Sequence, residues 1–322
     1  MAITFGNVCS YTFYFLLNFS TYSVMLSIND NFYKDFSILY HITLLFFSTI
    51  SYILLILTKN NPGIIKQNQY SELSQNIPII NMNNNEETSI NNISIKKNIE
   101  LNIKEKSSYV YDGIFPIKNC IKCNNTFLPL RSHHCRRCNV CIRTFDHHCG
   151  MIGGCVGEDN HLKFLFFVFF QSIALVLGIY GLLKTLNNVL DRNKDNYLET
   201  PIAIFLLLFI LIFYCVFTCV LFFFHIYLIT TNQTTYEIYH RDKCEYLFIF
   251  KDMRKKILKE RNIDILPSFS FKPFDMGIIR NIQLIWNKNK NEHFNWENIF
   301  FENIETKKIP FNFCDNEYWS CF

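Results

Sequence analysis

Four runs of mostly apolar residues punctuate the chain, at 8–28, 38–57, 164–183 and 202–229. A helix needs roughly 20 consecutive apolar residues to cross a bilayer, so the pattern predicts four membrane-spanning helices. The first run has Ser, Thr and Asn scattered through it and reads alternatively as a buried or interfacial helix; its length and lack of charge favour a span. Between the second and third runs lies a long polar stretch, 58–163. Within it, 66–108 is rich in Asn, Ile, Lys, Ser and Glu, with Asn83, Asn84 and Asn85 in a row, and predicts a disordered insert without chemistry. The tail from residue 230 mixes charge with apolar residues at helical spacing around 253–258 and 278–286. These predict helices packed on the membrane face of whatever domain the polar stretch forms.

Composition and charge sharpen this picture. Half of the 322 residues are hydrophobic, 34 are Phe and 18% are charged, below the roughly 25% of an ordinary soluble domain. The stretch 58–163 holds thirteen Lys and Arg and the tail fourteen, whereas the connectors 29–37 and 184–201 hold one and three. Because Lys and Arg concentrate on the cytosolic side, both termini and 58–163 are expected in the cytosol. No cleavable leader is expected, since the N-terminus lacks a basic segment before its first apolar run. The spans contain His41 and His225 but no Asp, Glu, Lys or Arg, which argues against an ion pathway. Both histidines are expected at interfaces or bonded to neighbouring helices.

The chemistry concentrates in one place. Seven of the thirteen cysteines lie between Cys120 and Cys155, interleaved with His133, His134, His147 and His148. The order is Cys120-x2-Cys123-x10-His134-Cys135-x2-Cys138-x2-Cys141-x4-Asp146-His147-His148-Cys149-x5-Cys155. Zinc takes four Cys and His ligands, often paired at x2 spacing, and two interleaved sites need eight. In the reducing cytosol such spacing means thiolates on metal rather than disulfides. The supply exceeds eight by three, and the surplus includes a cysteine beside an Asp-His-His run. A thiol next to a histidine that a carboxylate orients is what a cysteine nucleophile needs.

Asp146-His147-His148-Cys149 in this frame resembles the DHHC family of protein S-acyltransferases, the palmitoyltransferases. The resemblance extends along nearly the whole chain. Asn61-Pro62-Gly63 stands where the family has Asp-Pro-Gly. Thr234, Thr235, Tyr236 and Glu237 fit its Thr-Thr-x-Glu. Phe274, Asp275, Met276 and Gly277 with Asn281 fit its C-terminal aromatic-Asp-x-Gly…Asn element. The family pattern implies one structural zinc on Cys120, Cys123, His134 and Cys141 and a second on Cys135, Cys138, His148 and Cys155. It implies Cys149 as nucleophile, His147 as its base and Asp146 holding the His147 ring. His133 is left for a hydrogen-bonded structural role. Thr235 is expected near Asp146, with Thr234 and Glu237 supporting it, and Asn281 anchoring the tail. Arg131, Arg136, Arg137 and Arg143 are candidates to meet coenzyme A phosphates, or are ordinary positive-inside charge.

The implied fold is an all-α polytopic membrane protein with a small cytosolic two-zinc domain at 114–163. Before it come helices one and two in 1–57 and a linker at 58–113; after it come helices three and four in 164–229 and a cytosolic tail at 230–322. The implied activity is two-step transfer of a long acyl chain from acyl-CoA, palmitoyl-CoA in the type reaction, to Cys149 and then to a cysteine of a membrane-associated protein. The implied location is the endomembrane system, in Golgi, endoplasmic reticulum or plasma membrane, with no nucleic-acid partner. Cys149 lies fifteen residues before the third apolar run, close to the bilayer surface. The chain departs from the family after Cys149, where Gly150-Met151-Ile152-Gly153-Gly154 replaces the usual Pro-Trp and paired Asn. Three glycines predict a looser loop, and the missing Trp removes an aromatic wall beside the thiol. The alternative reading is a catalytically impaired zinc scaffold of the same family.

Overall fold

The computed structural model describes residues 5–28, 36–65, 118–123, 126–192, 199–260, 272–286, 315–316 and 319–320. The Asn-rich stretch 66–108 lies outside the described residues. The first apolar run forms α1 (Phe5–Ile28) and the second α2 (Ile38–Asn60), which starts where the Ser37 side chain accepts from the Tyr40 N–H. The third and fourth runs form α3 (His161–Arg192) and α4 (Glu199–Thr230). At 32 residues each, α3 and α4 are about 48 Å long. That exceeds a hydrocarbon core of about 30 Å, so both helices continue past the apolar runs into the expected connector 184–201.

Among the described residues, three helices are long and apolar enough to cross a membrane, over Ile38–Asn60, His161–Asn188 and Ile204–Thr230. α1 covers the first run, but Asn18, Ser20, Thr21 and Ser23 dilute it below that class. The outward face of α4 exposes Leu206, Phe209, Phe213, Val220 and Phe223. An apolar belt of this kind is stable against lipid and not against water.

α3 is the central helix and packs against α1, α2 and α4. Close approach depends on glycine at one level: a Cβ on Gly181 would fall 2.1 Å from the Tyr40 hydroxyl and 2.5 Å from Met25 Sδ. The Tyr40 O–H donates to the Leu177 carbonyl at 2.9 Å. Deeper in the bundle, Tyr14 of α1, Ser51 of α2 and Gln171 of α3 meet in a buried hydrogen-bonded cluster, so polar groups facing the bundle interior find partners in one another.

Among the described residues, the domain between α2 and α3 holds no α-helix. It consists of three antiparallel hairpins with strands of three residues each. β1 (Lys118–Cys120) pairs with β2 (Thr126–Leu128), β3 (His133–Cys135) with β4 (Val140–Ile142), and β5 (His147–Cys149) with β6 (Gly154–Val156). Hairpins this short are marginal alone and need cross-links. The small cysteine-rich domain expected beside the helices is thus built of hairpins, because the Cys-x2-Cys turns at 120–123 and 135–138 reverse the chain to bring their ligands together.

The segment after α2 docks this domain onto the bundle. Gly63 has φ 89 and its N–H donates to Asn61 Oδ1 at 3.4 Å, so Asn does the turn-forming work open to Asp at this position. Gly63 O then accepts from Arg143 N at 2.9 Å, and Ile65 N donates to Cys141 O at 2.9 Å. After α4 come α5 (Thr235–Tyr239), α6 (Glu245–Glu260) and α7 (Ile278–Trp286), which lies against α4. The expected helical segments at 253–258 and 278–286 fall in α6 and α7.

Candidate active site and metal centres

Side chains alternate across a strand, and this rule arranges the whole site. On β3, His134 and its neighbour Cys135 point to opposite faces and enter different clusters. On β5, His147 and Cys149 share one face and His148 takes the other. Two tetrads result, Cys120, Cys123, His134 and Cys141 in one, and Cys135, Cys138, His148 and Cys155 in the other, with the donor atoms of each within 4.8 Å of one another. The first ties hairpin one to hairpin two, the second ties two to three.

The donor sets fit zinc. His134 Nδ1 lies 3.4, 3.3 and 3.5 Å from the sulfurs of Cys120, Cys123 and Cys141. His148 Nδ1 lies 3.4, 3.3 and 3.6 Å from those of Cys135, Cys138 and Cys155. Bond lengths of about 2.0 Å to nitrogen and 2.3 Å to sulfur in a tetrahedron place ligand atoms about 3.5 Å apart. Three thiols converge on one imidazole twice, and all six are free cysteines. Zinc in such closed four-ligand sites cross-links the chain and leaves no position for substrate.

Cys149 stands outside both tetrads. It is buried, in an apolar cluster with Tyr14, Leu55, Ile152, Phe164 and Phe167. His147 Nδ1 lies 2.6 Å from Asp146 Oδ2, so its other ring nitrogen is left for the Cys149 thiol. Burial disfavours a charged imidazole at His147, but the hydrogen bond to Asp146 and the neighbouring Asp146 carboxylate and Cys149 thiol outweigh it and raise its pKa to about 10. Burial would likewise raise the Asp146 carboxyl; its bond to His147 and the facing imidazoles of His161, His147 and His225 hold it well below the usual carboxylate range instead.

The tail motif wraps this pair. Thr235 donates to both Asp146 oxygens, from its N–H to Oδ1 at 2.7 Å and from its hydroxyl to Oδ2 at 2.9 Å. Thr234 and Glu237 form a capping box that starts α5. Glu237 also receives Arg131 at 2.7 and 2.8 Å and the Tyr246 hydroxyl at 2.7 Å. Asn281 donates to the Thr230 carbonyl at 2.6 Å and to Asp275 at 2.8 Å, closing the end of α4.

The four arginines separate into two kinds. Arg131 is buried, paired with Glu237, bonded to Asn232 and stacked on Phe274. Arg143 is buried against Asp159 and Glu158. Both are engaged inside the protein, because a guanidinium taken out of water needs a carboxylate beside it. Arg136 and Arg137 are exposed. His133 packs at a tilt against Tyr236 at 4.5 Å and Phe145 at 5.0 Å.

The loop after Cys149 is not the loose segment its glycines suggest. Gly153, with φ 62, makes the turn, and its N–H donates to Gly150 O at 3.3 Å. Met151 Sδ accepts from the Tyr214 hydroxyl at 3.0 Å, and Ile152 is 0% exposed. Phe164 and Phe167 fill the space beside the thiol, so apolar side chains supply the wall a Trp would make.

Several residues that matter to the site carry no local signal. Asn160 donates to the carbonyls of Thr58 at 2.6 Å and Cys155 at 2.9 Å and accepts from Gly157 N at 2.8 Å. It pins α2, the second metal cluster and the start of α3 together. A Cβ on Gly157 would sit 2.5 Å from Pro62 O. His225 of α4 bonds His161 of α3 at 2.9 Å, as expected of a histidine in a span. Its place beside His147 emerges only when the helices pack.

A family profile described as DHHC palmitoyltransferase matches residues 115–242. The chain is 29% identical over 218 residues to the putative ZDHHC-type palmitoyltransferase 7 of Dictyostelium discoideum, covering 65% of this chain and 45% of that protein. It is 30% identical over 215 residues to the probable protein S-acyltransferase 6 of Arabidopsis thaliana, covering 65% and 49%. It is 37% identical over 103 residues to the mouse palmitoyltransferase ZDHHC23, covering 31% and 22%. The chain thus spans about half the length, or less, of these curated relatives. With the two tetrads, the Asp146–His147 pair and the spare Cys149 all inside the matched stretch, residues 115–242 are a domain of the DHHC palmitoyltransferase family.

Proposed function

We propose that this chain is a protein-cysteine S-acyltransferase that takes a long acyl group, of the palmitoyl class, from acyl-CoA. The observation that carries this reading is the position of Cys149. It is the one thiol of the cysteine-rich stretch outside both tetrads, and it shares a strand face with His147, which Asp146 holds. His147 takes the thiol proton. The sulfur attacks the acyl-CoA thioester carbon, and the coenzyme A thiolate leaves with a proton from His147, which leaves a thioester on Cys149. A cysteine thiol of a membrane-associated protein then attacks that thioester, takes the chain and restores the enzyme.

The apolar cluster around Cys149 continues through Tyr14 and Tyr52 into a cavity of about 220 Å³ among the helices. An acyl chain entering it gains about 0.8 kcal/mol per buried methylene. The exposed Arg136 and Arg137 meet the coenzyme A phosphates, whereas Arg131 and Arg143 are engaged within the protein. α1 completes a fourth span, with Tyr14 and Thr21 buried against the bundle. Both termini lie on the cytosolic side of a membrane of the endomembrane system, where one added chain strengthens the membrane hold of a target protein.

The test is incubation of the purified full chain with radiolabelled palmitoyl-CoA. Hydroxylamine-sensitive label is expected on the wild type. Label persisting at the normal level in Cys149→Ser sinks the nucleophile assignment; no label on folded wild type sinks the reading.

A further inference from the structure

The Asp146–His147 pair has a back wall that the acyl-transfer chemistry does not by itself require. His225, in the membrane-spanning part of α4, is 1% exposed. A ring nitrogen of His225, an oxygen of Asp146 and a nitrogen of His147 all lie within 4.8 Å of one another. Its ring faces that of His147 at 5.7 Å, tilted by 43°. On its other side, His225 Nδ1 is bonded to His161 Nε2 at 2.9 Å. Phe164 of α3 stands edge-on to both His147, at 5.5 Å, and His225, at 4.8 Å. An ionisable side chain inside a span is costly and is kept where it serves a function.

The bond from Asp146 fixes one nitrogen of His147 but leaves the ring free to turn about that contact. The plane of the ring decides where its other nitrogen points, and hence whether it meets the Cys149 sulfur. The side chains that bear on the plane from α3 and α4 are Phe164 and His225. Phe164 is locked in the core at 0% exposure. His225 is held in place by its bond to His161.

We propose that His225 and His161 form a positioning pair that sets the plane of the His147 imidazole, so that the packing of α3 on α4 aims the base at Cys149. This rests on the acyltransferase reading above. Neither residue touches the reacting atoms; they act through His147. The same two helices line the membrane cavity through Ala174, Leu175 and Gly178 on one side and Leu211 on the other. The elements that aim the base are thus the elements an acyl chain would lie against.

The test uses the purified full chain and the pre-steady-state burst of acyl-enzyme at saturating palmitoyl-CoA. His225→Phe keeps the ring volume and removes the bond to His161. It is expected to slow the burst about ten- to a hundredfold, since small misplacements of a reacting group cost that much. The KM for palmitoyl-CoA, the zinc content and the melting temperature are expected to stay near wild type. His225→Gln, which retains a polar group to bond His161, is expected to recover much of the rate. His161→Phe is expected to slow the burst similarly, and the double Phe variant no further, because the two act as one unit. A His225→Phe burst within about twofold of wild type, a slowing that His225→Gln does not relieve, or losses that multiply in the double variant would each overturn the pairing. If His225→Phe loses zinc or fails to fold, His161→Phe and His161→Gln decide by the same criteria. A normal wild-type burst with unaffected variants removes only this inference; absence of a Cys149-dependent burst in the wild type removes both.

Discussion

At the scale of single residues, the site is a set of polar groups that hold one another in place. Thr235 is the clearest case, donating twice to the carboxylate that orients His147. Thr235→Val removes the hydroxyl donor and keeps the backbone one. The loss of one bond to a charged group is worth about 1.5–3 kcal/mol. We expect the burst of acyl-enzyme to fall roughly tenfold or more with zinc content unchanged; pre-steady-state labelling measures it. Glu237 behaves differently. It neutralises Arg131, and both are buried, so Glu237→Ala strands a charge in the interior. That costs about 3–5 kcal/mol, and we expect a markedly lower melting temperature rather than a purely kinetic defect. The Thr-Thr-x-Glu motif was legible as four letters. The family resemblance also placed Thr235 near Asp146, as the two bonds show; that the first Thr caps α5 and the Glu pairs Arg131 was not legible, because Arg131 is 106 residues from its partner in sequence.

At the scale of elements, β5 explains how a ligand of the second metal cluster and the proposed catalytic residues share four consecutive positions. Alternation sends His148 to the second metal cluster and leaves His147 and Cys149 together on the other face. The hairpin that carries them is three residues per strand, so its geometry depends on the metal and on the packing of its loop. Ile152 is the buried point of that loop, against Cys149 and Phe164. Ile152→Ala is expected to cost about 2–5 kcal/mol and to slow the burst, read by thermal melting and labelling in parallel. The glycines of the loop do separate jobs. Gly153 needs its positive φ, whereas a Cβ on Gly150 meets nothing within 4 Å. Gly157 is the strict position: an added methyl would press on Pro62 O and Arg143 O from the two segments it lies between. Gly157→Ala is expected to lower the yield of folded protein, while Gly150→Ala is expected to express normally.

At the scale of the molecule, the two metal clusters, the turn after α2 and the tail elements dock the hairpins onto the ends of α2, α3 and α4. We expect two zinc ions per folded chain, measured by metal analysis. Replacing Cys138 or Cys155 is expected to reduce folding and not only turnover, because zinc binding is part of the folding free energy of so small a domain. The sequence alone determined the three strongest spans, the stretch that holds the metals and the identity of the spare cysteine. These are properties of local composition and of spacings within a few tens of residues, and hydrocarbon thickness and tetrahedral coordination translate them directly into structure. Tertiary structure alone decided which arginines stay open to solvent, how a glycine-rich loop keeps its thiol in an apolar wall, and that His225 stands beside His147. Each of these depends on which side chains meet across helices and hairpins far apart in the chain, and the packing around α3, tied at its start by Asn160, is what brings them together.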